Sequence, residues 1–134
     1  MNPLPEFATL PMPFAATTVA PDGCDVRVLL GLDRGGMAHF ELAAGHTTQA
    51  VEHRTVEEIW LVLSGRGDLW RKQGPREEIV GLEPGVCVTI PLGTRFQFRC
   101  AQAAPLTIVA VTMPPWPGVA EAVHVTGPWL PTLA

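Results

Sequence analysis

His53 and Glu58 are the residues of this chain best suited to chemistry, in the stretch VEHRTVEEIWLVLSGRG spanning 51–67. An imidazole and a carboxyl at short range can help hold a transition metal, or can act as a proton acceptor and its partner. What they do depends on the local fold. Thr55-x-x-Glu58 ahead of an apolar run has the form of a helix capping box, but a helix begun there would meet Gly65 and Gly67 after about ten residues. Ile59, Trp60 and Val62 suit a pleated surface better. Two strands, 50–53 and 58–64, joined by the loop 54–57, would pair His53 with Glu58 and Val51 with Trp60. All four side chains would then share one sheet face, with Trp60 and Val62 continuing inward from Glu58.

The surrounding elements read as strands. Fourteen prolines and thirteen glycines divide the 134 residues into short segments rich in Val, Ile, Leu, Thr, Phe and Trp. Strands are expected over 25–32, 37–43, 57–64, 67–72, 86–90, 96–100 and 105–113, with turns at 21–23, 33–36, 73–75, 83–85 and 91–93. No long window keeps a helical period free of Gly and Pro, so the reading is an all-β sandwich or small barrel. One domain accounts for the length, with a core over about 25–113 and proline-rich arms at 1–20 and 114–134. Pocket walls follow from alternation. Phe96 and Phe98 continue inward on the strand 96–100, Phe98 as core, and Trp70 could join the lining.

Two spacings organise these residues further. Gly45, Val51, His53, Glu58 and Gly65 follow Gly-x5-His-x-His-x4-Glu-x6-Gly, with Val51 in the first histidine place. Gly85, Pro91, Gly93, Phe96 and Cys100 follow Gly-x5-Pro-x-Gly-x2-His-x3-Asn, with Phe96 in the histidine place and Cys100 in the asparagine place. In both motifs the chain resembles the cupin superfamily. The resemblance implies a double-stranded β-helix, a jelly-roll barrel of two antiparallel sheets around a pocket, often dimeric. It also implies a metal site of three histidines and a glutamate, holding iron, manganese, nickel or zinc. Val51 and Phe96 have no lone pair to give, so only His53 and Glu58 remain of that set. Cys100, His46 or Gln49 could supply a third donor only by departing from the family geometry.

The expected function is therefore binding of a small molecule, a sugar or a partly apolar metabolite, at Val51, His53, Glu58, Trp60, Phe96 and Trp70. No cofactor is expected, although a divalent transition metal could occupy His53 and Glu58 weakly. One alternative is a metal-dependent enzyme of the dioxygenase or sugar-phosphate isomerase kind. Another is a metal-free epimerase or isomerase with His53 and Glu58 as an acid/base pair, expected as imidazolium beside carboxylate. The latter branch of the family uses a tyrosine acid, and this chain has no tyrosine. His39, His46 and His124 read as surface or satisfied histidines.

Composition narrows the partners. A net charge of −4 with scattered basic residues leaves no stripe for nucleic acid. No apolar run approaches the length of a membrane span, and the N-terminus lacks the basic-then-apolar pattern of a leader, so cytoplasmic placement is expected. Cys24, Cys87 and Cys100 are odd in number and widely spaced, which predicts reduced and mostly buried thiols. Trp116 and Trp129 in the C-terminal arm offer apolar surface to a second copy, so a homodimer is expected.

Overall fold

A computed structural model describes residues 5–134, so residues 1–4 of the expected N-terminal arm lie outside the described residues. The chain forms β1 (Thr18–Val19), β2 (Asp25–Leu32), β3 (Gly35–Leu42), β4 (Val51–His53), β5 (Glu57–Ser64), β6 (Gly67–Gln73), β7 (Arg76–Leu82), β8 (Cys87–Ile90), β9 (Arg95–Cys100), β10 (Leu106–Met113) and β11 (Ala122–His124). A 3-10 turn, Val119–Glu121, precedes β11. The strands make two antiparallel sheets, a six-stranded one in the order β1-β2-β3-β10-β5-β8 and a five-stranded one in the order β11-β4-β9-β6-β7. This is the double-stranded β-helix that the resemblance implies.

Alternation builds the barrel interior. On β5, Glu58, Trp60 and Val62 are buried while Glu57, Ile59, Leu61 and Leu63 face out. On β10 the inward row is Leu106, Ile108, Ala110 and Thr112. Trp60 sits at the centre, edge-on to Phe40, Phe96 and Phe98 at centroid distances of 5.7, 5.6 and 5.1 Å. Edge-to-face contacts of this kind suit the ring quadrupoles and add about 0.5–1.5 kcal/mol each to the burial of the rings.

The expected hairpin of β4 on β5 does not form. β4 pairs with β9, Val51 opposite Phe96, and with β11, His53 opposite Ala122. β5 pairs instead with β10 and β8, Glu58 standing opposite Thr112 and Ile90. The two strands belong to different sheets, and the short stretch Arg54–Val56 crosses from one sheet to the other. A closed barrel needs such corners, and alternation alone does not separate a corner from a hairpin turn. Strand β7 was not expected. Its sequence REEIVGL is charged at one end, as suits an edge, and Glu77 and Glu78 lie opposite Lys72 and Arg71.

The C-terminal arm is bound to its own chain. β9 is covered on both faces at Gln97, where the arm lies over the outward side. The Gln97 amide donates to the carbonyls of Thr48 and Trp129 at 2.8 and 2.9 Å, and its oxygen accepts the Trp129 backbone N–H at 3.2 Å. The Arg99 guanidinium stacks 4.1 Å from the Trp129 ring centroid. Of the two arm tryptophans, Trp129 packs here and Trp116 lies against the His53 ring while keeping 37% exposure. Exposed apolar side chains lie on the outer face of the six-stranded sheet, at Met37, Ile59, Leu61 and Leu63, as well as in the arm at Leu130. Cys24 and Cys100 are buried as free thiols and Cys87 is exposed, so the cysteines are mostly buried as expected. No helix among the described residues is long and apolar enough to cross a membrane.

Gln97→Leu keeps the volume and removes these three bonds, leaving buried backbone groups unpaired. It is expected to lower unfolding free energy by about 2 kcal/mol and to speed proteolysis of the tail. Unchanged denaturant midpoints and unchanged cleavage would show that other contacts hold the arm.

Candidate functional site

His53 from the five-stranded sheet and Glu58 from the six-stranded sheet meet inside the barrel. The imidazole Nδ1 lies 3.8 Å from Glu58 Oε2, with side-chain exposures of 6% and 3%. The proximity expected from sequence holds although the predicted pairing does not: the corner Arg54–Val56 folds over and aims both side chains inward from facing sheets. Glu121 holds that corner. Its carboxylate accepts the backbone N–H of Thr55, the backbone N–H of Val56 at 2.6 Å and the Thr55 hydroxyl at 2.8 Å. The Glu121 carbonyl accepts the Arg54 N–H, and the Ala120 carbonyl accepts Arg54 Nε. Burial works to raise the Glu121 pKa, but these donated bonds prevail and hold it below its ordinary value.

The pair faces a cavity of about 430 Å³, within the range usual for small-molecule sites. Its walls include Val51, Trp60, Phe96, Phe40, Thr112 and Trp116. Val51 and Phe96 are cross-strand partners, 1% and 2% exposed. The His53 ring is edge-on to Phe96 and to Trp116, each at 5.2 Å. Trp60 turns its indole N–H onto Glu58 Oε1 at 2.7 Å, which orients the carboxyl and leaves Oε2 toward His53. His53 Nδ1 is buried and has no hydrogen-bond partner.

Of the residues expected to bind ligand, five line this cavity and Trp70 does not. Leu69 takes the inward position on β6, so Trp70 is on the opposite face, where its indole N–H donates to Glu77 at 2.8 Å. Phe98 is fully buried core, as expected. His46 bonds Thr132 and His124 meets the Pro21 carbonyl. His39 is outward-facing, yet buried beside Arg27 at 3.4 Å.

Asp22, Thr112, Trp116 and Glu121 were missed. Thr112 was legible, since it ends the inward row of β10. Asp22 was read as a turn residue, and nothing in the spacing marks the two arm residues.

Electrostatics overturn the expected imidazolium and carboxylate pair. Burial pushes the Glu58 pKa up from 4.5 to about 7, against the Trp60 N–H that lowers it and with the Asp22 charge that raises it further. Burial likewise draws His53 down from 6.5 to about 4, outweighing the Glu121 carboxylate and the Val56 backbone, which favour the cation. Near neutrality the site holds a neutral imidazole beside a carboxyl that is protonated about half the time. The 3.8 Å separation is too long for a hydrogen bond and is within ion-pair reach only when the imidazole is protonated.

The donors do not fit a divalent transition metal. Among the described residues no three His, Cys, Asp or Glu side chains converge, and Val51 and Phe96 fill with hydrocarbon the places where further ligands would stand. Cys100, considered as a third donor, turns its thiol to the carbonyls of Ala101 and Ala104.

A barrel of two antiparallel sheets closing on an inward-facing pocket defines the class of this protein. The Cupin domain family model matches residues 38–112, more than half of the chain, and the protein belongs to that family. No curated protein matches it in sequence. Among solved structures it is similar to the capsular polysaccharide assembling protein CapF from Staphylococcus aureus, with TM-score 0.66 and 18% identity over 78% of this chain, which spans only 32% of CapF. It is similar to an uncharacterized protein with a double-stranded β-helix domain from Klebsiella pneumoniae, with TM-score 0.64 and 17% identity over 78% of this chain and 85% of that one. It is also similar to Pac13, described as a nucleoside dehydratase, with TM-score 0.67 and 17% identity over 88% of this chain and 92% of that one.

The raised Glu58 pKa has a consequence for stability. The fold binds this proton more tightly than the unfolded chain does, so its stabilising effect is complete below about pH 4.5 and is lost as pH rises through about 7. His53 works in the opposite sense: its contribution is present above about 6.5 and is lost as pH falls through about 4. Glu58→Gln keeps an oxygen for the Trp60 N–H and removes the charge. Its stability relative to the native chain should improve by about 3 kcal/mol between pH 5 and pH 8 in denaturant titrations, the size of a shift of this extent. An equal difference at both pH values would contradict this.

Proposed function

We propose that the barrel binds a small, largely apolar molecule without a resident metal, with His53 and Glu58 as its polar contacts. The observation that carries this reading is the orphaned, buried His53 Nδ1, on a residue that lines a 430 Å³ cavity. A buried nitrogen without a partner costs about 1–3 kcal/mol, and a ligand donor would recover that loss. A ligand hydroxyl between Nδ1 and Glu58 Oε2 would satisfy both groups. Phe96, Trp60 and Trp116 supply the apolar surface, and Trp116 would lie against the ligand from the arm side.

The protonation states favour a second reading, proton transfer on the bound molecule. A neutral imidazole accepts a proton and a half-protonated carboxyl donates one, which suits an isomerisation or elimination. The likeness to a nucleoside dehydratase is in keeping with such chemistry, at the level of fold.

Binding is tested by screening small metabolites against the tag-free protein, following tryptophan fluorescence. His53→Ala should weaken any hit by about tenfold with the fold intact, the loss of one buried hydrogen bond. Dialysis against chelator should change neither affinity nor thermal midpoint. Affinity or stability that falls with metal removal, or hits indifferent to His53→Ala, would overturn the reading.

A further inference from the structure

We infer that the barrel selects an organic ammonium ion carried on an apolar body, and rejects anions. This rests on the proposal that the cavity binds a small molecule, and adds the charge class of that molecule. Two carboxyl groups line the cavity, Glu58 and Asp22, and no Lys or Arg side chain is among its lining residues. Both carboxyls are buried, at 3% and 6% exposure, with hydrocarbon around them. An anionic ligand would bring a further negative charge into this low-dielectric space with no counter-charge.

The hydrogen-bonding inventory points the same way. Trp60 N–H is already given to Glu58 Oε1 and Cys24 N–H to Asp22 Oδ1, so the remaining polar atoms include the acceptors Glu58 Oε2, the orphaned His53 Nδ1 and the second Asp22 oxygen. The side-chain donors that the lining adds are the Thr18 and Thr112 hydroxyls and the Trp116 indole N–H. An ammonium head brings three donors where a hydroxyl brings one. Trp116, Phe96 and Phe40 add aromatic side chains to the lining, whose ring faces can attract cations.

The charge of Glu58 is set by neighbours on every side. His53 faces it from β4 and Thr112 from β10, while Asp22 and the buried Cys24 lie toward it from the turn before β2. Of these, Asp22 opposes ionisation of Glu58, and a bound cation relieves that repulsion. Cation affinity should therefore rise as pH rises through the Glu58 titration.

Three probes of one shape test the charge directly: benzylamine, benzyl alcohol and benzoate, titrated against the full chain by indole NMR shifts and fluorescence. At about pH 8 benzylamine is expected to bind about tenfold tighter than benzyl alcohol, with benzoate not binding. At about pH 6 the advantage should shrink by about tenfold, the effect of protonating one carboxylate with a pKa near 7. Glu58→Gln should bring benzylamine to the level of benzyl alcohol, and Asp22→Asn should lower it partway if Glu58→Gln proves unstable. Benzyl alcohol binding as tightly as benzylamine would overturn the charge inference while leaving the barrel a binding site. Benzoate binding, a benzylamine preference indifferent to both variants, or no probe binding at all would also overturn it; only failure of the wider metabolite screen would count against the binding site itself.

Discussion

His53 and Glu58 reach one another from opposite sheets, in an interior with too little polarity to support either charge. That constraint organises the site. Were the pair an ordinary ion pair, it would satisfy itself and leave a ligand nothing to bond. At 3.8 Å, with both pKa values moved toward the neutral forms, each group retains unused capacity. The Trp60 N–H fixes one carboxyl oxygen and so leaves the other facing the imidazole. The Glu121 clamp on Thr55 and Val56 fixes the corner that carries both residues. Neither support is itself reactive; both hold the geometry that leaves Nδ1 unpartnered.

The family architecture shows how such a site can arise. The spacing of both motifs is kept, and with it the glycines and the corner, while Val51 and Phe96 occupy positions where the resemblance implies histidines. Their cross-strand contact closes the wall with hydrocarbon. Hydrocarbon at these two positions, where the resemblance implies histidines, adds to the desolvation of His53 and Glu58. An apolar wall thus changes the chemistry of His53 and Glu58 as well as their number of neighbours.

Much of the barrel was legible because alternation and turn residues act locally. The strands 25–32 and 57–64 match the observed bounds, and the inward rows through Trp60 and Phe96 follow from a period of two. What could not be read is long-range. Strand β4 was paired with its neighbour in sequence, whereas it lies between β9 and β11, and a corner and a hairpin look alike over three residues. Trp70 was assigned inward, though Leu69 takes that face. The role of the C-terminal arm depends on Gln97 and Glu121, single polar residues whose partners are tens of positions away. The histidine and glutamate were found by residue type and spacing; their neutral state required knowledge of what surrounds them.

The most direct test of this account is a titration of the His53 imidazole by heteronuclear NMR in the native chain. A ring that stays neutral through the physiological range and titrates near pH 4 is the predicted result. A ring that is protonated at pH 6, titrating at or above the ordinary histidine value, would show an imidazolium paired with carboxylate and would contradict the account at its centre.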